Sequence, residues 1–307
     1  MIKKYLLLSA MAGVVFFSCD TDDDMPRDMD APVISKAEGR DEIRPRQGER
    51  MAATNDHMHV RFSVTDPSGI QQVRIEVHSG FDGHTHGRVA QGFEPLVVSR
   101  RIDLNGDTFY NQDGHDTDIY WEGENSEIDG TVLAGPYHFG IDATDIHGNV
   151  TSYADNNNYS STFYLERPYA PDMQITNLDG DELEGEPGEA LSVQGTVHRR
   201  DHQLSSDITF LWVRLVEEDE HDDDDDHGHG EDVYEEMWGQ STWRQHSNGN
   251  WYGGDALPSG ASINLADVLT GENAIVLPAG DHHYELIIWA EDANGNVTRR
   301  AYEVHAH

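Results

Sequence analysis

The chain has 307 residues, of which 58 are acidic and 20 are basic, so its formal net charge is −38 with neutral histidine. This charge argues against binding to nucleic acids or anionic lipid surfaces, because both require clustered basic side chains. It suits cation binding or simple solubility, and the length predicts roughly two ordinary domains.

Residues 1–18 have the pattern of a secretory signal peptide, with a charged start at Lys3 and Lys4 and an apolar run that is too short to span a bilayer. Cys19, the only cysteine, follows directly, as in a bacterial lipobox, and we predict that it is lipidated. The alternative is an ordinary free thiol, which is a liability outside the cell. With Cys19 lipidated, the folded part has no disulfide and no thiolate ligand.

Residues 19–30 are predicted to form an acidic flexible tether. Asp20–Asp24 read Asp-Thr-Asp-Asp-Asp, which resembles the signal that sends lipoproteins of Bacteroidetes-like bacteria to the outer face of the outer membrane. Acidic segments of low hydrophobicity also stay disordered, so a plain solvated tether is the alternative. We therefore predict an outer-membrane lipoprotein exposed at the cell surface, or alternatively facing the periplasm, and attached to the membrane only by its lipid.

The remainder of the chain contains an internal repeat, which predicts two units over residues 31–166 and 170–307. Residues 145–151 read Asp-Ile-His-Gly-Asn-Val-Thr and are matched near the end of the second unit by residues 292–298, Asp-Ala-Asn-Gly-Asn-Val-Thr. Two prolines in the connection, residues 166–171, favour a short extended linker.

Both units show a hydrophobic period of two, which indicates β-strands. Apolar and polar residues alternate over 58–64, 73–78 and 137–143, and 284–290 is a more continuous apolar strand. The Asp66–Gly69 segment, Asp-Pro-Ser-Gly, is typical of a turn between two strands. The predicted fold class is all-β, with two tandem immunoglobulin-like antiparallel β-sandwich domains after a lipoprotein signal peptide. Only Ile263–Leu269 is compatible with a short helical turn.

One histidine spacing occurs twice. His78, His84 and His86 are followed by glycine, and the same spacing returns at His221, His227 and His229. Clustered imidazoles are ligands that borderline transition metals prefer, so the spacing indicates metal binding. The alternative is that these are solvated histidine-rich loops that bind metal weakly and without purpose.

The predicted strand order brings further histidines to the loop triplets. The start of the penultimate strand, at His138, lies beside His78, and His57 and His59 reach the same end of the domain. His305 and His307 reach the corresponding end of the second unit, while His115, His147, His198, His202 and His246 are expected to be surface residues. The predicted metal ligands are His78, His84, His86, His138 and Asp82 in the first unit, and His221, His227, His229, His282 and His283 in the second.

The first unit resembles the domain of unknown function 4625 family of Bacteroidetes lipoproteins. The resemblance rests on Phe81–His86, which reads Phe-Asp-Gly-His-Thr-His, on Gly135–His138 and on the turn Asp145–Asn149. It implies an exported lipoprotein with an immunoglobulin-like fold and brings no established activity. The second unit has aspartates where Phe81 and Gly83 stand and Glu285 in the place of His138, so the resemblance does not imply identical coordination there.

We therefore predict a lipid-anchored surface protein that binds a divalent transition metal, zinc or copper, for capture or for delivery to an outer-membrane uptake receptor. No organic cofactor is expected. The sequence has no catalytic motif such as His-Glu-x-x-His, Gly-x-Ser-x-Gly or a phosphate loop, so we do not expect an enzyme. The alternative function is adhesion, in which the sandwich loops bind a glycan or a protein partner and the histidines are incidental.

Overall fold

A computed structural model of the chain describes residues 29–81, 90–180, 182–217, 232–280 and 282–307. Almost all of their regular secondary structure is β-strand, which confirms the predicted all-β fold class. None of the described helices has the length and apolar character needed to cross a membrane. Residues 1–28, which include the predicted signal peptide, Cys19 and most of the predicted tether, lie outside the described residues.

The described residues before the linker, which we call the N-terminal half, form ten strands. They are β1 Val33–Ser35, β2 Glu49–Met51, β3 His57–Met58, β4 Phe62–Ser79, β5 Phe93–Glu94, β6 Val98–Gln112, β7 Ile119–Tyr120, β8 Thr131–Val132, β9 Gly135–Asp145 and β10 Tyr159–Leu165.

Their main sheet follows the strand order of an immunoglobulin-like sandwich. The order is β1–β4–β9–β10–β2, and β6 pairs along the other edge of β4. All of these pairs are antiparallel except β10 with β2, which run parallel. The sequence β10–β9–β4–β6 corresponds to strands G, F, C and C′ of such a fold.

The structure differs from the expected turn at Asp66–Gly69. Strand β4 runs through this segment, and its pairing with β6 only shifts register between Thr65 and Ile70. The Asp66 carboxylate accepts hydrogen bonds from the backbone N–H groups of Ser68 and Gly69. These hydrogen bonds replace the backbone hydrogen bonds between strands that are lost at the register shift. The segment is therefore an irregularity within the paired strands β4 and β6 and not a turn that ends them. Before the bend β4 pairs with β1, and after it β4 pairs with β9.

The part after the linker, which we call the C-terminal half, has nine strands and two short helical turns among its described residues. They are β11 Asp172–Ile175, β12 Glu182–Gly185, β13 Gly195–His198, β14 Ile208–Glu217, β15 Asp232–Gln245, β16 Trp251–Gly253, β17 Ser262–Asn264, α1 Leu265–Val268, the 3-10 turn Gly271–Asn273, β18 His282–Asp292 and β19 Val297–Ala306.

These strands form two sheets, ordered β12–β19–β18–β14–β15–β16 and β11–β13–β17. The last strand, β19, pairs in parallel with the short strand β12, just as β10 pairs with β2 in the N-terminal half. The helical turn α1 lies where the sequence allowed one, and the Asn264 side chain caps it by accepting a hydrogen bond from the backbone N–H of Ala266.

The two halves pack directly against each other. The Val297 N–H donates to the Ala134 carbonyl at 2.9 Å, and the Ala134 N–H donates to Asn296 Oδ1 at 3.1 Å. Aromatic side chains of the C-terminal half, including Trp243 and Trp289, continue the hydrophobic core of the N-terminal half. That the two halves are tandem domains with the predicted boundaries stays a prediction.

Candidate metal centre

Three histidines and one aspartate of the N-terminal half converge on one point. His57 lies on β3, His59 follows that strand, His115 lies between β6 and β7, and Asp118 immediately precedes β7. One potential ligand atom from each of the four residues lies within 4.8 Å of the others. We call these four residues the His57–Asp118 cluster.

The Asp118 carboxylate is the centre of this cluster. Its Oδ2 atom lies 3.0 Å from Nδ1 of His59, 2.6 Å from Nδ1 of His115 and 4.0 Å from Nε2 of His57. The Asp118 side chain is fully shielded from solvent, whereas 35 % of the His59 side chain and 74 % of that of His115 are exposed. The imidazoles therefore stand between a buried anion and open solvent.

Local pairing explains why these residues meet. Strand β3 pairs with β7, so that His57 lies opposite Tyr120 and Met58 opposite Ile119. Alternation directs Met58 into the core and leaves the His57 side chain partly exposed, where its ring stacks on Tyr120 at 4.8 Å between centroids. The Arg100 guanidinium donates a hydrogen bond to the backbone carbonyl of Asp118. These contacts fix the backbone that carries two of the ligands.

One further carboxylate, that of Asp56, orients the His57 imidazole. The Asp56 carboxylate lies 2.6 Å from Nδ1 of His57, and this hydrogen bond lowers the pKa of Asp56. With Nδ1 occupied, Nε2 of His57 is the nitrogen that faces Asp118. A carboxylate that holds one ring nitrogen while the other is directed to a metal is a common arrangement around histidine ligands.

His78 and His138, which the sequence placed side by side, are neighbours in the structure. They face each other across β4 and β9, with ring centroids 5.3 Å apart. Nδ1 of His138 lies 3.1 Å from the Thr162 hydroxyl, and the His138 ring also packs against Gly80. The remaining predicted ligands of this half, Asp82, His84 and His86, lie outside the described residues.

The C-terminal half does not repeat this histidine pair. Val216 lies opposite Glu285 at the position where His78 lies opposite His138. His282 instead contacts Glu217, with 2.9 Å between Nδ1 and Oε1, and the His283 ring lies against His305. The predicted ligands His221, His227 and His229 lie outside the described residues.

The His57–Asp118 cluster is not predicted as a unit by the sequence patterns. His57 and His59 are predicted near the end of the domain, His115 is predicted to be an ordinary surface residue, and Asp118 is not among the predicted ligands. His115 is indeed exposed, yet its imidazole bonds to a buried carboxylate. The available signals were the short spacings His57-x-His59 and His115-x-x-Asp118, which acquire meaning only once β3 is paired with β7.

The N-terminal half is similar in sequence to a known protein family. Residues 17–158 match the family described as "Domain of unknown function (DUF4625)". This match covers a little under half of the 307-residue chain. The resemblance drawn from the Phe-Asp-Gly-His-Thr-His motif is thereby confirmed. No curated protein matches the chain.

Solved structures share only a distant likeness with the chain. Dimeric latent PorU from Porphyromonas gingivalis is 12% identical with a TM-score of 0.26, and the match covers 93% of this chain and 21% of that one. SGBP-B of the Bacteroides ovatus mixed-linkage glucan utilization locus, in complex with a heptasaccharide, is 12% identical with a TM-score of 0.24, covering 91% and 48%. Chicken CNTN1 FN1–FN3 is 9% identical with a TM-score of 0.19, covering 90% and 68%. The chain spans about a fifth of PorU and about half of SGBP-B. Because all these TM-scores are low, the likenesses carry no argument about function.

Proposed function

We propose that this protein is an exported, lipid-anchored protein that binds a divalent transition metal, zinc or copper, through the His57–Asp118 cluster. The observation that carries the proposal is the convergence of three imidazoles and one buried carboxylate, with their ligand atoms within 4.8 Å of one another. Three nitrogen donors and one oxygen donor are a suitable set for zinc or copper(II).

The electrostatics of the chain support cation capture. With a formal net charge of −38, the protein attracts cations over distances longer than a direct contact. Asp118 adds a local negative charge that cannot be screened by water, because its side chain is buried. Binding a metal next to Asp118 would compensate this buried charge.

We propose that His78 and His138 contribute to a second metal site in the same half. Both lie at the strand ends next to the segment that contains Asp82, His84 and His86, so these residues together would offer another nitrogen-rich site. We further propose that lipid on Cys19 holds the protein at the outer membrane, and that captured metal passes to an uptake receptor there.

Zinc titration of the full chain by calorimetry tests the proposed function. Replacing both His59→Ala and His115→Ala should weaken zinc binding at the cluster by about 100-fold or more, because two of four ligands are lost. His147→Ala is the matched control, since it removes a histidine of the same half outside the cluster. A second double variant, His84→Ala with His86→Ala, separates the loop from the cluster.

Unchanged zinc affinity and stoichiometry in the His59→Ala, His115→Ala variant would overturn the assignment of the cluster. Unchanged binding in both double variants would overturn metal capture by the N-terminal half. That second result would favour the adhesion alternative, in which the loops bind a glycan or a protein.

A further inference from the structure

The C-terminal half has a face rich in histidine and glutamate at one end of its larger sheet. Side chains alternate along a strand, so His283 and Glu285 of β18 lie on the same face. His283 pairs with His305 of β19, and Glu303 of β19 pairs with Glu182 of β12. The residues between them face the core, namely Leu183, Tyr284, Val304 and Ala306.

His305 is the centre of this face. Its Nε2 atom lies 3.3 Å from Oε2 of Glu182 and 3.9 Å from Oε2 of Glu303. This nitrogen is buried and has no hydrogen-bond partner. A buried ring nitrogen that lies close to two carboxylates without a hydrogen bond is suited to a ligand that supplies positive charge.

A second imidazole completes the donor set. The His283 ring lies 4.4 Å from that of His305 between centroids, and the two planes are nearly perpendicular at 82°. His307 follows His305 by two residues, and the centroids of their rings are 6.3 Å apart. Ligand atoms of Glu182, Glu303 and His305 therefore lie within 4.8 Å of one another, and the His283 imidazole lies directly beside His305.

We infer that His283, His305, Glu182 and Glu303 form a separate binding site for a divalent transition metal. Two nitrogen and two oxygen donors suit zinc, and the ion would offset the charge of two carboxylates that now lie close together. This site lies on β12, β18 and β19, whereas the His57–Asp118 cluster lies on β3 and β7 and the segments beside them. It therefore exists independently of the proposed function of the N-terminal half.

The test uses the full chain with histidines labelled with nitrogen-15, and zinc chloride as the probe. Long-range nitrogen–proton spectra report each imidazole nitrogen, and the signals of His283 and His305 are assigned from the spectra of the single variants. We expect both signals to shift on zinc addition. We also expect the double variant His283→Ala, His305→Ala to bind one zinc ion fewer by equilibrium dialysis.

One control variant and one further test variant keep the result interpretable. His246→Ala removes another histidine of the C-terminal half, which stacks on Tyr252 away from this face, and should leave the stoichiometry unchanged. Glu182→Gln with Glu303→Gln preserves shape if the histidine variant fails to fold, and should weaken this site by about tenfold to 100-fold. Absence of a zinc-induced shift at His305, or unchanged binding in both double variants, overturns the site. Retained zinc binding at the His57–Asp118 cluster in these variants would show that the proposed function does not depend on the site in the C-terminal half.

Discussion

Phe81 of the N-terminal half packs against Trp243 of the C-terminal half, with ring centroids 4.8 Å apart. Both side chains are buried, and Phe81 also contacts Tyr137 edge to face at 5.4 Å. Phe81 is the first residue of the Phe-Asp-Gly-His-Thr-His motif. The C-terminal half therefore anchors the strand end from which the predicted metal-binding loop departs.

Replacing Phe81→Ala should destabilise the packed halves by about 3–5 kcal/mol, because it removes a fully buried aromatic ring and leaves a cavity. Urea denaturation followed by tryptophan fluorescence measures this loss. Phe109→Ala is the matched control, since 44% of Phe109 is exposed and its removal should cost far less. Equal losses in the two variants would show that the Phe81–Trp243 contact does not stabilise the protein.

The sequence predicted the strands well, because side-chain alternation is a local property. The alternating segments 58–64, 73–78 and 137–143 lie largely within β3, β4 and β9. Long-range pairing was less accessible: the passage of β4 through Asp66–Gly69 depends on its partner β6. The same limit applies to the candidate site. His78 and His138 could be placed together from strand order, whereas His115 and Asp118 join His59 only through the short β3–β7 pairing.

The repeated turns at Asp145 and Asp292 should respond to pH in opposite directions. The two carboxylates accept equivalent hydrogen bonds, Asp145 from the N–H groups of His147 and Asn149, and Asp292 from those of Asn294 and Asn296. Burial raises the pKa of Asp292 to about 6. At Asp145 burial also raises the pKa, but the hydrogen bonds from Asn149 and its neighbours outweigh it and the pKa is lowered.

These shifts fix the sign of the pH dependence. The raised pKa of Asp292 means that the folded state binds the proton more tightly than the unfolded state, so its contribution to stability grows as the pH falls from about 7 to about 4. Relative to Asp292→Asn, the wild type should gain about 1–3 kcal/mol of unfolding free energy over this range. Relative to Asp145→Asn, the wild type should instead lose stability as the pH falls. Urea titrations at several pH values measure both differences, and parallel curves for the two variants would contradict the prediction.

Zinc bound at the His57–Asp118 cluster should be released by acid. An imidazole must be neutral to donate its lone pair, so protonation competes with the metal for the same nitrogen. Lowering the pH from about 7.5 to about 5.5 should therefore weaken zinc binding by at least about tenfold, with more than one imidazole competing for protons. Competition with a zinc-sensitive dye at each pH measures the affinity. A pH-independent affinity would indicate that carboxylates alone hold the ion.

The substitution Asp118→Asn removes the negative charge of the cluster while nearly preserving the shape of the side chain, so it measures what the charge contributes to zinc affinity. The amide is nearly isosteric and its oxygen can still accept the hydrogen bond that the Val60 N–H donates to Asp118 Oδ1 at 3.3 Å. It carries no charge and weakens the hydrogen bonds that Asp118 Oδ2 accepts from His59 and His115, so zinc affinity should fall by about tenfold to 100-fold. Asp116→Asn is the matched control, because Asp116 is an exposed carboxylate two residues away and outside the cluster. Equal effects of the two variants on zinc affinity would mean that Asp118 acts only through the overall charge of the protein, whereas a loss confined to Asp118→Asn would identify its carboxylate as the group that holds the ion or orients its ligands.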